Sequence, residues 1–255
     1  MSSDYESLAG DYHWLIPDEL LAEDFFVTQH HALLRTIPPG SLVLDCACGI
    51  GRDAIALARA GYQVHAADTS PTLVAQAQRE AERAGVSISF AVCRWDDLPQ
   101  RFTERFTLVL CTGNSISHCP DRAAMVRALR AMRAVLVPGG TLVLDSRNWE
   151  KLRREQPRLS LSERVIQRGS SRCIPLYLWQ FPPRWDERHD VELVLLFDEA
   201  GSLSHRRYVL EYRPFPLREL QMCLAEAGFG AVQTDYREEA DRYEVQAQRV
   251  ESGYL

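Results

Sequence analysis

Two aspartates and a pair of glycines hold the densest chemistry of this chain. Leu42-Val43-Leu44 is a short apolar run that ends in Asp45; Gly49-x-Gly51 follows, and a helical pattern starts directly after it. A buried strand, a glycine loop and a helix N-terminus in that order bring backbone N–H groups up to a nucleotide-like ligand. The next apolar run, residues 62–67, ends in Asp68, 17 residues beyond Gly51. A carboxylate at that point accepts hydrogen bonds from a ribose diol.

Two cofactor classes use such a site, the dinucleotides and S-adenosylmethionine. Gly49-Ile50-Gly51-Arg52-Asp53-Ala54 satisfies the dinucleotide pattern G-x-G-x-x-A. In that fingerprint, however, the strand runs almost directly into the first glycine and the loop holds a pyrophosphate. Here Asp45-Cys46-Ala47-Cys48 intervene, and a carboxylate at the strand tip repels a diphosphate. The ammonium and sulfonium of S-adenosylmethionine suit it instead. Asp45 favours that cofactor, by direct contact or by bracing the loop, and leaves an NAD(P)-dependent oxidoreductase as the alternative of a different class.

The elements that must position these groups read as an α/β alternation. Helical spacing over 19–36 is stopped by Pro38-Pro39-Gly40. Strands are predicted at 42–45, 63–67, 87–92, 106–111 and 141–145. Helices are predicted at 53–60, 71–84 and 122–135, the last closed by Pro138-Gly139-Gly140. Alternation at this pitch implies a parallel sheet covered by helices on both faces, with its ligand crevice beyond the carboxyl ends of the strands. After about residue 150 the pattern changes to antiparallel strands at 174–181, 190–197 and 206–214. A helix at 217–227 and strands at 231–236 and 243–249 follow.

At 255 residues the chain supports one large domain. A net charge of −6 argues against a broad nucleic-acid face, and Lys151, Arg153 and Arg154 read as a solvated local patch. The N-terminal sequence lacks the regions of a signal peptide, and no apolar run approaches a membrane span, so a cytoplasmic protein is expected. The seven cysteines do not resemble a disulfide framework, and Cys46-x-Cys48 reads as two small buried residues, with no metal site expected.

Three motifs give the chain a resemblance to a known family. Asp45-Cys46-Ala47-Cys48-Gly49-Ile50-Gly51-Arg52-Asp53 opens it, Gly113-Asn114-Ser115-Ile116-Ser117-His118 follows the fourth strand, and Asp145-Ser146-Arg147-Asn148-Trp149 follows the fifth. In that order they resemble the class I S-adenosylmethionine-dependent methyltransferases, and more narrowly the glycine (glycine/sarcosine) N-methyltransferase family. The resemblance covers about residues 40–150. It implies a Rossmann-like seven-stranded sheet with an antiparallel cap insert after the fifth strand. It divides a single domain, 1–255, into an N-terminal helical lid (1–36), a cofactor core (40–150), an acceptor-side insert (151–215) and a C-terminal helix and strands that complete the sheet (216–255).

The same resemblance implies cofactor contacts at Asp45, Ala47, Gly49, Gly51, Asp68, Thr69, Arg94, Trp95 and Thr112. Trp95 is placed to stack on adenine with Arg94 on the other side. Arg94 stands where many methyltransferases have an aspartate. Tyr5 and Tyr12 fall in the lid, and Tyr5 lies at the family's distance before the first motif, which makes it the candidate for an oxygen near the reacting methyl. His118 either relays a proton or braces its loop. Asn114 and Arg147 are the acceptor candidates, since an arginine fork suits a carboxylate; pairing of Arg147 with Asp145 is the competing reading. Methyl transfer needs alignment and water exclusion more than a nucleophile set. The expected acceptor is the amine of a small molecule, glycine or sarcosine first. A natural-product N- or O-methyltransferase is second, and a cofactor-binding protein without catalysis third.

Overall fold

The computed structural model describes residues 3–16, 25–162, 165–199 and 201–251. The chain opens with α1 (Ser3–Leu8), which runs into a 3-10 segment, Ala9–Leu15, and continues with α2 (Phe25–Gln29) and α3 (His31–Leu34). Part of the helix expected over 19–36 falls outside the described residues, and the remainder is broken at His30. There the backbone leaves the helical region, at φ −100° and ψ 16°. The His30 ring uses Nδ1 on the Phe26 carbonyl, at 2.9 Å, and Nε2 on Glu244, at 2.5 Å.

The core alternates as its apolar pattern demands: β1 (Leu42–Asp45), α4 (Arg52–Arg59), β2 (Gln63–Asp68), α5 (Pro71–Arg83), β3 (Ile88–Val92), α6 (Leu98–Arg101), β4 (Phe106–Cys111), α7 (Arg122–Val135) and β5 (Leu136–Arg147). Val43, Leu44 and all of Leu108, Val109, Leu110 and Cys111 are wholly inaccessible. Helices cover both faces of these strands, so they read as continuous apolar runs and not as alternating ones. Ser70 caps α5 through a 3.1 Å bond from Leu73 N–H, with Pro71 in the first helical turn, where its missing N–H is harmless.

Pro138-Gly139-Gly140 does not terminate α7 as expected. The helix passes directly into β5, and the tripeptide forms an irregularity inside that strand, where the pairing register with β4 shifts between Phe106 and Leu108. A Cβ on Gly140 would lie 2.9 Å from the Val137 carbonyl oxygen, which makes glycine obligatory.

Beyond β5 come α8 (Trp149–Glu155), β6 (Leu159–Leu161), β7 (Ile166–Arg168), β8 (Ser171–Trp179), β9 (His189–Glu199), β10 (Ser202–Tyr212), α9 (Leu217–Glu226), β11 (Phe229–Thr234) and β12 (Arg242–Arg249). The main sheet has seven strands in the order β11-β12-β5-β4-β1-β2-β3, with β12 alone reversed, so that it pairs antiparallel with both β5 and β11. Its order reverses between β1 and β4, so the crevice must open beyond their carboxyl ends. The second sheet, β10-β9-β8-β6 with β7 also on β8, is antiparallel throughout. Its β9 buries Val191, Leu193, Leu195 and Phe197 on one face and half-exposes the alternate residues.

The helix α8 has no counterpart in the expected elements. Its cap is Asn148, which accepts from Lys151 N–H at 3.0 Å and donates its amide to the carbonyls of Arg237, Glu238 and Ala240. The basic patch on this helix is a staple. Lys151 reaches Asp241 at 2.7 Å, Arg154 reaches Glu238 and Glu239, and Arg153 donates to the carbonyls of Pro182, Pro183 and Arg184. The N-terminal 3-10 segment packs on the second sheet: Trp14 meets Phe197 edge-on at 5.5 Å, and Asp11 accepts from Arg206 and Tyr208. Among the described residues no helix is long and apolar enough to cross a membrane.

Candidate functional site

A cleft of about 590 Å³ opens at the carboxyl ends of the parallel strands, within the range of small-ligand sites. The loop after β1 contributes Cys46, Ala47 and Gly49, and the end of β2 contributes Asp68, Thr69 and Ser70. The turn after β3 adds Arg94, Trp95 and Asp96. The loop after β4 adds Ser115, His118 and Cys119. Glu6 and Tyr12 close the cleft from the N-terminal segment. A second hollow of about 440 Å³ continues past Thr69 and Arg94 to Gln100 and Arg101.

Asp68 organises one side. Its Oδ2 accepts from Gly49 N–H at 3.0 Å and its Oδ1 from Ser70 N–H at 3.0 Å. Burial pushes its pKa up against these two bonds. Trp95 is half-buried, and its indole N–H donates to the Cys46 carbonyl at 2.8 Å. That bond holds one aromatic edge on the glycine loop. Tyr12 lies across the same loop: a Cβ built on Gly49 would sit 3.5 Å from its ring, and one on Gly113 4.0 Å from its hydroxyl. Burial, with the charge of Asp68 behind it, raises the Tyr12 pKa, so the phenol stays protonated. Glu6 ties this segment down by accepting from Ser70 and Thr72.

Five expected site residues do not line this cleft. Asp45 is 1 % exposed and folds under its loop, where it accepts from Ala47 N–H at 3.2 Å. Burial, reinforced by Asp53, raises its pKa well above the carboxylate range. Bracing, not direct contact, is its visible role. Gly51 (φ +85°) serves helix packing, because a Cβ there would meet Ala77 Cβ at 3.0 Å. The Thr112 hydroxyl donates to Asp53 at 2.8 Å, and Asp53 in turn takes the Arg52 guanidinium at 2.6 and 3.0 Å. This triad ties the end of β4 to α4.

Asn114 is 2 % exposed, with φ 64°. Its amide donates to Ser117 at 2.8 Å, its Oδ1 accepts from Arg147 N–H at 2.9 Å and from Ser146 at 3.3 Å, and its own N–H donates to Asp145 at 2.7 Å. The side chain clamps the ends of β4 and β5 together, which removes it from the acceptor contacts. Arg147 is the last residue of β5 and does not pair with Asp145, whose carboxylate takes Arg242 at 2.7 Å. Its guanidinium lies over the rings of Tyr177 and Trp179, at 5.1 and 5.5 Å. Tyr177 and Trp179 on β8 and Phe181 just past its end follow one another with centroids 6.0 Å apart, and the first two form an aromatic wall facing this arginine.

His118 uses Nδ1 on the Glu211 carbonyl at 2.8 Å and leans on Tyr212. Burial drives its pKa down to about 3, with the Arg147 charge adding to the shift. The low pKa favours the neutral ring, and its bond to the Glu211 carbonyl ties this loop to β10. Tyr5 lies in α1, but its side chain falls outside the described residues. All seven cysteines are buried, and among the described residues no group of His, Cys, Asp or Glu is placed to hold a metal. Sequence reasoning missed Glu6, the Arg52–Asp53–Thr112 triad and Arg242. Only the adjacency of Arg52 and Asp53 to Gly51 offered a signal.

Fold and cleft together define the class as a class I, S-adenosylmethionine-dependent methyltransferase fold. Residues 43–140 match the family model described as a methyltransferase domain. The chain is 36 % identical over 110 residues to a glycine/sarcosine N-methyltransferase of Parasynechococcus marenigrum (strain WH8102), covering 43 % of this chain and 39 % of that one. It thus spans about two fifths of that relative's length. Among solved structures it is similar to an S-adenosylmethionine-dependent methyltransferase from Clostridium acetobutylicum ATCC 824, with TM-score 0.75, 16 % identity and coverage of 97 % and 99 %. It is also similar to the sugar N-methyltransferase KedS8 from Streptoalloteichus sp ATCC 53650, with TM-score 0.69, 22 % identity and coverage of 91 % and 88 %.

Proposed function

We propose that the chain is an enzyme that transfers a methyl group from S-adenosylmethionine to the amine of a small molecule bearing a carboxylate, a glycine- or sarcosine-like amino acid first. One observation carries the cofactor half: the Asp68 carboxylate, the Gly49 backbone and the Trp95 ring share one cleft closed by Tyr12. The donor set fits the cofactor: Asp68 for the ribose diol, with Thr69 beside it, Trp95 and Arg94 for the two faces of adenine, and Ala47 and Gly49 backbone for the amino-acid end. Bound there, the cofactor's sulfonium supplies a methyl carbon already activated for in-line displacement.

The chain's own work is then alignment and drying. Tyr12 covers the loop and excludes water, and a neutral His118 takes no proton at ordinary pH. The end of β5 places Arg147 beside the β8 aromatic wall, where its fork suits a carboxylate while the acceptor's amine points into the cleft. A second reading, N-methylation of a natural-product amine such as an amino sugar, draws support from coverage. The likeness of fold to the sugar N-methyltransferase spans 91 % of this chain.

The test pairs two measurements. S-adenosylmethionine should raise the melting temperature and NAD(P) should not; the reverse result rejects the methyltransferase reading in favour of an oxidoreductase. Radiolabelled methyl transfer to glycine, sarcosine and amino-sugar acceptors then decides the acceptor. Label on an amino sugar with none on the amino acids rejects the carboxylate assignment.

A further inference from the structure

We propose that the end of the main sheet remote from the cleft carries an anion site, built by Arg105, Arg133 and Arg249, that takes a small phosphate anion. The cleft opens at the carboxyl ends of the parallel strands; these three arginines gather at the opposite end, around Leu136. Arg133 lies in the last turn of α7 and Arg249 ends β12. Arg105 directly precedes β4, whose first residue, Phe106, pairs with Leu136. Arg249 donates through Nη1 to the Leu136 carbonyl and, at 3.4 Å, to the Arg133 carbonyl. Arg133 donates from Nε to the Gly228 carbonyl at 2.8 Å and from Nη2 to the Val250 carbonyl at 2.7 Å. Arg105 is fixed by the carbonyls of Thr103 and Glu104, at 2.9 and 3.0 Å.

Carbonyls hold these guanidiniums in place without neutralising them. Acidic residues outnumber basic ones in this chain, 35 to 29, and Arg122, Arg127 and Arg130 on the same helix α7 each find a carboxylate, Glu226 or Asp96. Among the described residues Arg105, Arg133 and Arg249 have none within ion-pairing distance. Burial pushes the Arg249 pKa down and the charges of Arg133 and Arg105 push it further, with Glu251 offsetting part of the shift. The three cations therefore repel one another, and an anion between them relieves that repulsion. An arginine has five N–H donors. Arg133 spends Nε and Nη2 on carbonyls, and Arg249 and Arg105 spend Nη1 alone, so each keeps donors for a ligand. Guanidinium forks match phosphate oxygens, and one phosphate can accept from several forks at once. Glu104 and Glu251 flank the cluster and confine its positive potential to one spot. A nucleic acid or a membrane needs a more extended basic surface.

Isothermal titration of the whole chain with inorganic phosphate and with pyrophosphate, at matched ionic strength, tests this. One site should appear, and a concentration about a hundredfold above its Kd should raise the melting temperature by roughly 5–10 °C. Arg133→Gln/Arg249→Gln should weaken binding about a hundredfold or more, since charge-assisted bonds from two guanidiniums are lost. Arg105→Gln guards against a double variant that fails to fold, because its bonds lie within its own loop. It should weaken phosphate binding about tenfold and leave S-adenosylhomocysteine affinity at the wild-type value. A melting shift that chloride reproduces at equal ionic strength, phosphate affinity unchanged in folded Arg105→Gln, or phosphate that competes with S-adenosylhomocysteine would each overturn the assignment.

Discussion

The two halves of the crevice differ in how their side chains are held. On the β1–β3 side, Gly49, Asp68 and Trp95 are fixed by bonds among loops that emerge from adjacent parallel strands, and all three face the cleft. On the β4–β5 side, Asn114 and Asp145 belong to motifs just as recognisable, yet their polar atoms are taken up in clamping strand ends, with Arg242 reaching in from β12. A motif at a strand tip thus has two uses, presenting groups to a ligand or locking the rim that shapes the site. Which use applies depends on partners far away in sequence.

Substitutions can break this contrast. The largest effect is expected at the rim residue still assigned to the acceptor. Arg147→Met should lower kcat/KM for a carboxylate-bearing acceptor by about 30-fold to a few thousandfold, from the roughly 2–5 kcal/mol lost when one member of a buried charge pair is removed. Product-inhibitor affinity should barely change. Steady-state kinetics that show loss of cofactor binding first would move Arg147 to the donor half.

Next comes Asn114→Ala. It strands buried bonding partners and places alanine at φ 64°, so it should cost about 2–4 kcal/mol of folding stability. Thermal unfolding should report a loss of roughly 5–15 °C. A variant with wild-type melting but poor turnover would restore Asn114 to the acceptor contacts.

Asp68→Ala probes the other half. It should weaken S-adenosylhomocysteine binding by about ten- to a hundredfold, or roughly 1.5–3 kcal/mol. Calorimetric titration with unchanged affinity in a folded variant would show that the diol lies elsewhere. The smallest effect belongs to the pair behind the sheet. Burial lowers the His30 pKa, but the bond and charge of Glu244 and the Phe26 carbonyl outweigh it, and the net shift is upward from 6.5. A raised histidine pKa contributes stability that is complete below about pH 6.5 and fades as pH rises through the folded value. Glu244→Gln should therefore cost on the order of 1 kcal/mol near pH 6 and less near pH 9, as denaturant melts at the two pH values would report.

Much of the architecture is decided locally. The apolar runs at β1 and β4, the Ser70-Pro71 start of α5 and the Asp121 cap of α7 each state an element within a few residues, because strand burial, capping and proline geometry act at short range. The same locality made Gly49 and Asp68 legible as residues of the crevice, since each sits at or just past a strand end, and the family resemblance added Trp95. The break at His30 and the helix α8 were not legible. One depends on Glu244, 214 residues away, and the other on carbonyls near residue 240.

The rim shows the division most sharply. By sequence alone, Asp45 and Arg147 are charged groups at strand tips, equally ready to meet a ligand. Tertiary structure buries Asp45 beneath its own loop, where desolvation disfavours its charge, and sets Arg147 on aromatic rings supplied by a sheet that begins after residue 150. Tyr12 follows the same rule: its type was readable, but its place over Gly49 comes from Glu6 and Asp11 anchoring the N-terminal segment to the start of α5 and to β10. Short-range stereochemistry wrote the fold and the donor loop into the sequence. Desolvation and distant ion pairs, which no local pattern encodes, decided which charges face the crevice.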